Sequence, residues 1–211
     1  MLFKNFLNNK NNRAIKKDFI NLLKDQPQFF KTLKSTYKYS YSKKIVSKYK
    51  KFSNIRIIGM GGSILGSEAI YDFLKKKIKK KVTFVNTLNS NADYFQDKNI
   101  NLNLIISKSG NTLETIINAS TLINKKESNI IITEDKHSYL ANLASKLKAE
   151  ILEHKNYVGG RYSVLSEVGM LPAELMNLNE NKFKQFNNLI KNKTFVNNLV
   201  NNVAGTLNLI K

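Results

Sequence analysis

The chain has 211 residues, 42% of them hydrophobic and 24% charged, which suits one domain with helical attachments and a full core and excludes global disorder. Cysteine is absent, so disulfides, thiolate metal sites and cysteine nucleophiles are excluded, and a reducing compartment fits. The formal charge is +20, but only Arg13, Arg56 and Arg161 are arginines and the lysines are spread along the sequence among Asn and Ile; nucleic-acid binders cluster Lys and Arg on one element, so this reads as a solvated surface without a nucleic-acid partner, compatible with acidic small substrates.

No apolar run approaches the roughly 18 residues that span a bilayer. The opening MLFKNFLNNKNNRAIKK breaks each apolar cluster with Lys or Asn. These features predict a soluble, cytoplasmic chain with no membrane partner. Residues 13–50 are helical in pattern, with Ile15, Phe19, Leu22 and Leu23 on one stripe and a break at Pro27 before Phe29, Phe30 and Leu33. Tyr37, Tyr39 and Tyr41 among lysines have the composition of a nucleic-acid platform. Alternating tyrosines more often pack their rings and leave their hydroxyls in water, which is the reading adopted.

From Ser53 onward, short β-branched runs alternate with helical segments. Strands are predicted at 55–60, 82–86, 102–107 and 129–133, with a weaker fifth at 150–152. Helices are predicted at 65–77, 92–97, 112–124 and 138–147. Regular alternation implies right-handed crossovers and a doubly wound, five-stranded parallel α/β sheet covered on both faces. Beyond Pro172 the texture is helical again, through Phe183, Phe186, Leu189 and Ile190 and then 195–210. The predicted organisation is a helical extension at 1–53, an α/β domain at 54–178, and helices at 179–211 leading toward a further domain.

In an open parallel sheet, ligands sit beyond the carboxyl ends of the strands, so the residues following each strand are the informative ones. Gly59-Met60-Gly61-Gly62-Ser63-Ile64-Leu65-Gly66 follows the first strand. A dinucleotide fingerprint would need Gly where Ile64 stands, and an acid where Asn86 and Thr87 stand. A Walker A loop would need Lys after Gly66, where Ser67 follows. With those cofactors disfavoured, a smaller phosphate ester remains for Gly62 and Ser63. After the third strand, Ser107, Lys108, Ser109, Gly110, Asn111 and Thr112 form a cup of short donors at a helix N-terminus, suited to a phosphate monoester dianion. Glu114 reads as a capping partner in the first turn. The third segment, Val158-Gly159-Gly160-Arg161-Tyr162-Ser163, places an arginine fork behind two glycines, with the character needed to stabilise an enediolate or alkoxide. His137 and His154 read as solvated surface histidines, and Glu167 as structural.

GMGGSILGSEA, SKSGNTLET and VGGRYSVLSEVGMLP, in this order and spacing, together resemble the phosphoglucose isomerase family, whose amino-terminal half is a sugar isomerase (SIS) domain. The resemblance is clear over residues 54–178. It implies aldose–ketose isomerisation of glucose 6-phosphate and fructose 6-phosphate through a cis-enediolate, without metal or organic cofactor, in a homodimer. It assigns the substrate phosphate to Ser63, Ser107, Lys108, Ser109 and Thr112, and the enediolate to Arg161. Gly110 and Asn111 stand where many members of the family carry bulkier residues. The family's proton-transferring Glu and its ring-opening His and Lys belong to the carboxyl-terminal half, and no segment here matches them. The expectation is therefore an amino-terminal portion that binds a hexose 6-phosphate and is nearly inert alone, since a positioned base contributes about 10²- to 10⁴-fold. Two rival readings are a non-catalytic SIS phosphosugar sensor and a basic nucleic-acid binder.

Overall fold

A computed structural model describes residues 12–25, 27–88 and 102–210. The expected helix at 92–97 lies outside the described residues. Among the described residues, the α-helices α1 (Asn12–Asp25) and α2 (Lys43–Tyr49) precede five strands: β1 (Asn54–Gly59), β2 (Lys81–Val85), β3 (Leu102–Ile106), β4 (Ser128–Thr133) and β5 (Glu150–Glu153). All pairings are parallel, in the order β2-β1-β3-β4-β5. Helix α3 (Leu65–Leu74) follows β1, α4 (Leu113–Leu122) joins β3 to β4, and α5 (Tyr139–Leu147) joins β4 to β5. The doubly wound α/β expectation holds, and each strand lies within a residue or two of its predicted place. Chain direction across the sheet reverses between β1 and β3, which makes their carboxyl ends the switch point where such folds bind ligands.

The central strands are legible because they are covered on both faces. Ile55, Ile57 and Ile58 of β1, Leu104 to Ile106 of β3 and Ile130 to Ile132 of β4 are all buried, as near-continuous apolar runs should be in a parallel sheet. Ile58, Val85, Ile105 and Ile131 share one core with Ala119 of α4 and with Leu140 and Ala144 of α5. A polar ladder crosses the same strands in register, through Arg56, Asn103 and Asn129. Arg56 Nη1 donates to Asn103 Oδ1 (3.3 Å) and to the Leu122 carbonyl (2.8 Å), and Asn103 Nδ2 donates to Asn129 Oδ1 (2.9 Å) and Glu127 Oε2 (2.8 Å).

Helix α6 (Glu167–Leu175) is buried along its whole length and continues through Pro172. Ser166 starts it, accepting the Val168 N–H at 3.3 Å. The tyrosine stretch straps this helix: Tyr37 donates to Glu167 Oε2 and Tyr41 to Glu174 Oε1, each at 2.8 Å, while Lys43 bridges Glu174 and Glu180. The rings pack as expected, Tyr37 edge-on to Tyr39 and Tyr39 stacked on Tyr41. The expectation of wetted hydroxyls is corrected for Tyr37 and Tyr41, because buried carboxylates need donors and these hydroxyls supply them. Burial, reinforced by the neighbouring glutamates, pushes both phenols well above their ordinary range.

Helices α2 to α6 and the five-stranded sheet form one compact unit, Thr36–Glu180; the described residues on either side gather into a second. Within that second unit are α1, α7 (Asn187–Lys191) and α8 (Lys193–Ile210). Asn12 of α1 donates to Asn201 (2.7 Å) and Lys16 to Asn197 (3.1 Å), both on α8. No described helix is long and apolar enough to cross a membrane.

Candidate functional site

After β1 the chain makes a tight turn, Gly61–Ser63, with Gly61 at φ +52°, before α3 begins. A Cβ built on Gly59 would lie 3.0 Å from the Ile106 carbonyl and 3.2 Å from Ser63 Cβ. Ser63 therefore stands at the junction of β1 and β3.

After β3, three hydroxyls converge. Ser107 Oγ lies 2.9 Å from Thr112 Oγ1, and Ser109 Oγ lies 3.5 Å from each. Gly110 N–H reaches Ser107 Oγ and Asn111 N–H reaches Ser109 Oγ, both at 3.2 Å. Gly110 has φ +69°, and a Cβ there would lie 2.2 Å from Ser138 Oγ, so only glycine fits. Asn111 Oδ1 accepts the Tyr139 N–H (2.9 Å) and so helps start α5. The Lys108 ammonium donates to the Asn156 carbonyl (2.7 Å) and lies 3.6 Å from Glu134, which ties this loop to the chain after β5. Glu134 is held below the usual carboxylate range, chiefly by its hydrogen bond from Lys136. Glu114 sits in the first turn of α4, where its charge complements the helix dipole.

The segment after β5 travels furthest. Although β5 is an edge strand, residues 155–166 fold back onto the loop after β1. The Gly62 and Gly160 backbones are so close that a Cβ on Gly62 would lie 2.2 Å from the Gly160 carbonyl oxygen. Ser163 Oγ is 2.7 Å from the Gly160 carbonyl and 2.9 Å from that of Gly62, fastening the two turns. Val164 packs on Gly66 and Gly169, where side chains would collide with it. Gly62, Gly66, Gly160, Arg161, Ser163 and Val164 line a cavity of about 240 Å³, with the Arg161 side chain exposed at its edge.

The structure thus joins Gly62 and Ser63 to Gly160 and Arg161, and joins Ser107, Ser109 and Thr112 at the adjacent strand end. It turns Lys108 and Asn111 toward loop contacts. His137 is exposed as expected; the expectation for His154 is corrected, since it is 1% exposed. The His154 N–H donates to the Thr133 carbonyl at 2.7 Å, drawing the residue under the returning loop. Glu167 and Tyr37, which sequence reasoning gave no part in the site, meet behind that loop. Nothing in the spacing of two residues so far apart signals their contact.

A 2-1-3-4-5 parallel sheet whose switch point is lined by hydroxyls, backbone amides and an arginine defines a doubly wound α/β domain with a site for a small anionic ligand. It resembles a hypothetical protein from Thermus thermophilus, with TM-score 0.74 and 18% identity over 95% of this chain and 53% of that one. It also resembles the tagatose-6-phosphate ketose/aldose isomerase of Escherichia coli, with TM-score 0.52 and 15% identity over 85% of this chain and 49% of that one. Residues 3–208 match the family model described as phosphoglucose isomerase, and the chain belongs to that family. Among curated relatives, the glucose-6-phosphate isomerase of Borreliella afzelii is 38% identical over 141 residues, 58% of this chain and 26% of the relative. That of Methanocaldococcus jannaschii is 37% identical over 142 residues, 60% of this chain and 34% of the relative. The chain spans about a quarter to a third of the length of these relatives.

Proposed function

We propose that this chain supplies the phosphate-binding and enediolate-stabilising part of a glucose-6-phosphate isomerase, acting in the cytoplasm on hexose 6-phosphates. The observation that carries this reading is the return of the Arg161 segment onto the Gly62 turn, beside the hydroxyl cluster of Ser107, Ser109 and Thr112. Those hydroxyls, Ser63 and the amides of both turns hold the phosphate dianion. The dipole of α4 contributes only about 0.3–1 kcal/mol, so the hydroxyls and amides do most of the binding. Lys108 adds positive field while bracing the loop. When the C2 proton of the open-chain aldose is removed, charge develops on the enediolate oxygens, and the Arg161 fork stabilises it until a proton is delivered to C1. In this reading residues 54–178 are the phosphosugar-binding domain and the flanking helices lead to further structure. The proton-transferring groups come from the part of the relatives' length that this chain does not match, and the working enzyme is a homodimer.

The test compares the chain alone with the chain coexpressed beside the carboxyl-terminal half of a family relative. Glucose 6-phosphate, but not glucose, should raise the melting temperature of the chain alone. Conversion to fructose 6-phosphate should appear only in the combination and should vanish in Arg161→Ala. A melting temperature indifferent to hexose 6-phosphates would overturn the reading. A second reading, a non-catalytic phosphosugar sensor, is favoured by the donor character of the gathered groups; it predicts the same stabilisation with no turnover in the combination.

A further inference from the structure

The carboxylate of Glu167 is fully buried at the first position of α6, and its two oxygens hold two different parts of the chain. Oε1 accepts the Lys155 N–H at 3.1 Å, and Oε2 accepts the Tyr37 hydroxyl at 2.8 Å. Lys155 opens the segment that returns to Gly62, and Glu167 closes it. One side chain therefore pins the loop's beginning to its end and fastens both to the tyrosine strap. The Lys155 ammonium lies 5.8 Å from the centre of the Tyr37 ring, on the same seam. Between these anchored ends stand Gly160 and Arg161. Without a pin, the ends of such a loop are free to separate, and the turn at its middle loses its fixed seat against Gly62.

We infer that Glu167, locked by Tyr37, is the positioning residue that sets Arg161 at the phosphosugar site. This deepens the proposed function and rests on that reading for its ligand. A buried carboxylate facing two donors is costly to remove, because the Lys155 amide and the Tyr37 hydroxyl both lose their acceptor. Glutamine keeps the geometry: its carbonyl oxygen accepts from Lys155, and its amide donates to a Tyr37 hydroxyl that has turned to accept. Phenylalanine at position 37 removes one arm and leaves the other. The three substitutions should therefore rank in effect, with alanine at 167 largest, phenylalanine at 37 intermediate and glutamine at 167 smallest.

The experiment is a double-mutant cycle between Glu167→Ala and Arg161→Ala, read as affinity for glucose 6-phosphate by calorimetry, alongside amide hydrogen exchange of residues 155–163. Glu167→Ala should weaken glucose 6-phosphate binding about tenfold, by displacing the guanidinium, and should have no further effect once Arg161 is alanine. Affinity for inorganic phosphate, which depends on the hydroxyl cluster, should stay within twofold of wild type, and Glu167→Gln should restore hexose 6-phosphate binding. Exchange at 155–163 should accelerate in Glu167→Ala while β1 and β3 stay protected. Additive losses in the cycle, an equal loss of inorganic phosphate affinity, or unchanged exchange at 155–163 would each overturn the inference. If Glu167→Ala does not fold, Tyr37→Phe carries the same cycle. If wild type binds no hexose 6-phosphate, the proposed function fails, and the exchange measurement still decides whether Glu167 pins the loop.

Discussion

The α-carbon of Gly62 faces the carbonyl of Gly160 with no space for a side chain: a Cβ on Gly62 would lie 2.2 Å from that oxygen. The obstacle is backbone on a fastened turn, so it cannot swing aside as a flexible side chain would. Gly62→Ala is expected to cost about 1–3 kcal/mol through overpacking, lowering the melting temperature by roughly 2–10 °C. The reverse position is asymmetric. A Cβ on Gly160 would meet only the Gly62 α-carbon at 3.7 Å, an ordinary contact. Gly160→Ala should therefore melt within a degree or two of wild type. Thermal denaturation followed by circular dichroism separates the two, and equal melting temperatures would refute the described seat of the returning loop.

The hydroxyl cluster predicts a different split between stability and binding. In Ser107→Ala, the Gly110 N–H keeps its bond to the Ser107 carbonyl, so the loss of the 2.9 Å contact with Thr112 should cost about 1 kcal/mol of stability. Binding of inorganic phosphate should fall by about one to two orders of magnitude, since a donor to the anion is worth about 1.5–3 kcal/mol. Lys108→Met should show the opposite balance, because its ammonium is bonded to Asn156 and Glu134 and so braces the loop. Urea unfolding paired with phosphate titration checks both. A larger loss of phosphate affinity in Lys108→Met than in Ser107→Ala would show that the ammonium, not the hydroxyls, grips the anion.

The sheet was legible because strands such as β3 and β4 are covered on both faces and leave unbroken apolar runs, while the crossover rhythm set their direction. The strand-end segments were legible because glycines and short hydroxyls in those places have few other uses. The return of the Arg161 segment was not. It depends on Val164 finding room over Gly66 and Gly169, a tertiary fit that no local pattern announces. The burial of His154 is hidden from the sequence for a related reason: Glu153 and Lys155 make its surroundings look like a surface turn, yet its backbone is bonded to Thr133 and the loop closes over it. The acceptors of Tyr37 and Tyr41 lie 130 and 133 positions away, beyond the reach of periodicity.

The in-register ladder through Arg56, Asn103 and Asn129 predicts that its middle member matters most. Asn103→Ala removes the acceptor of Arg56 and the donor to Asn129 and Glu127 together, leaving buried polar groups short of partners. Each such group costs about 1–3 kcal/mol. Asn129→Ala strands only one end of the ladder and should cost less. The urea midpoint should fall further for Asn103→Ala than for Asn129→Ala, with the slope of the transition unchanged. The reverse order would mean that the ladder is not a connected unit.

His154 predicts how stability responds to acid. Its Nδ1 lies 3.2 Å from the Lys155 carbonyl, which makes Nδ1 the protonated nitrogen of the neutral ring, and its buried Nε2 has no hydrogen-bond partner among the described residues. Burial is the largest influence and, with the charge of Lys108, holds the imidazole below its ordinary value of 6.5; the Lys155 carbonyl, Glu167 and Glu134 oppose that shift without reversing it. The unfolded chain, with an ordinary histidine near 6.5, therefore binds a proton before the folded one does. The contribution to stability is complete above about pH 6.5 and is lost as pH falls through the lower folded value, with a slope of at most about 1.4 kcal/mol per pH unit. His154→Asn keeps an N–H donor for the Lys155 carbonyl and removes the titration. Unfolding free energies from urea at pH 7 and pH 5 should fall more steeply for wild type than for His154→Asn. Parallel losses in the two proteins would show that this imidazole does not couple folding to acid.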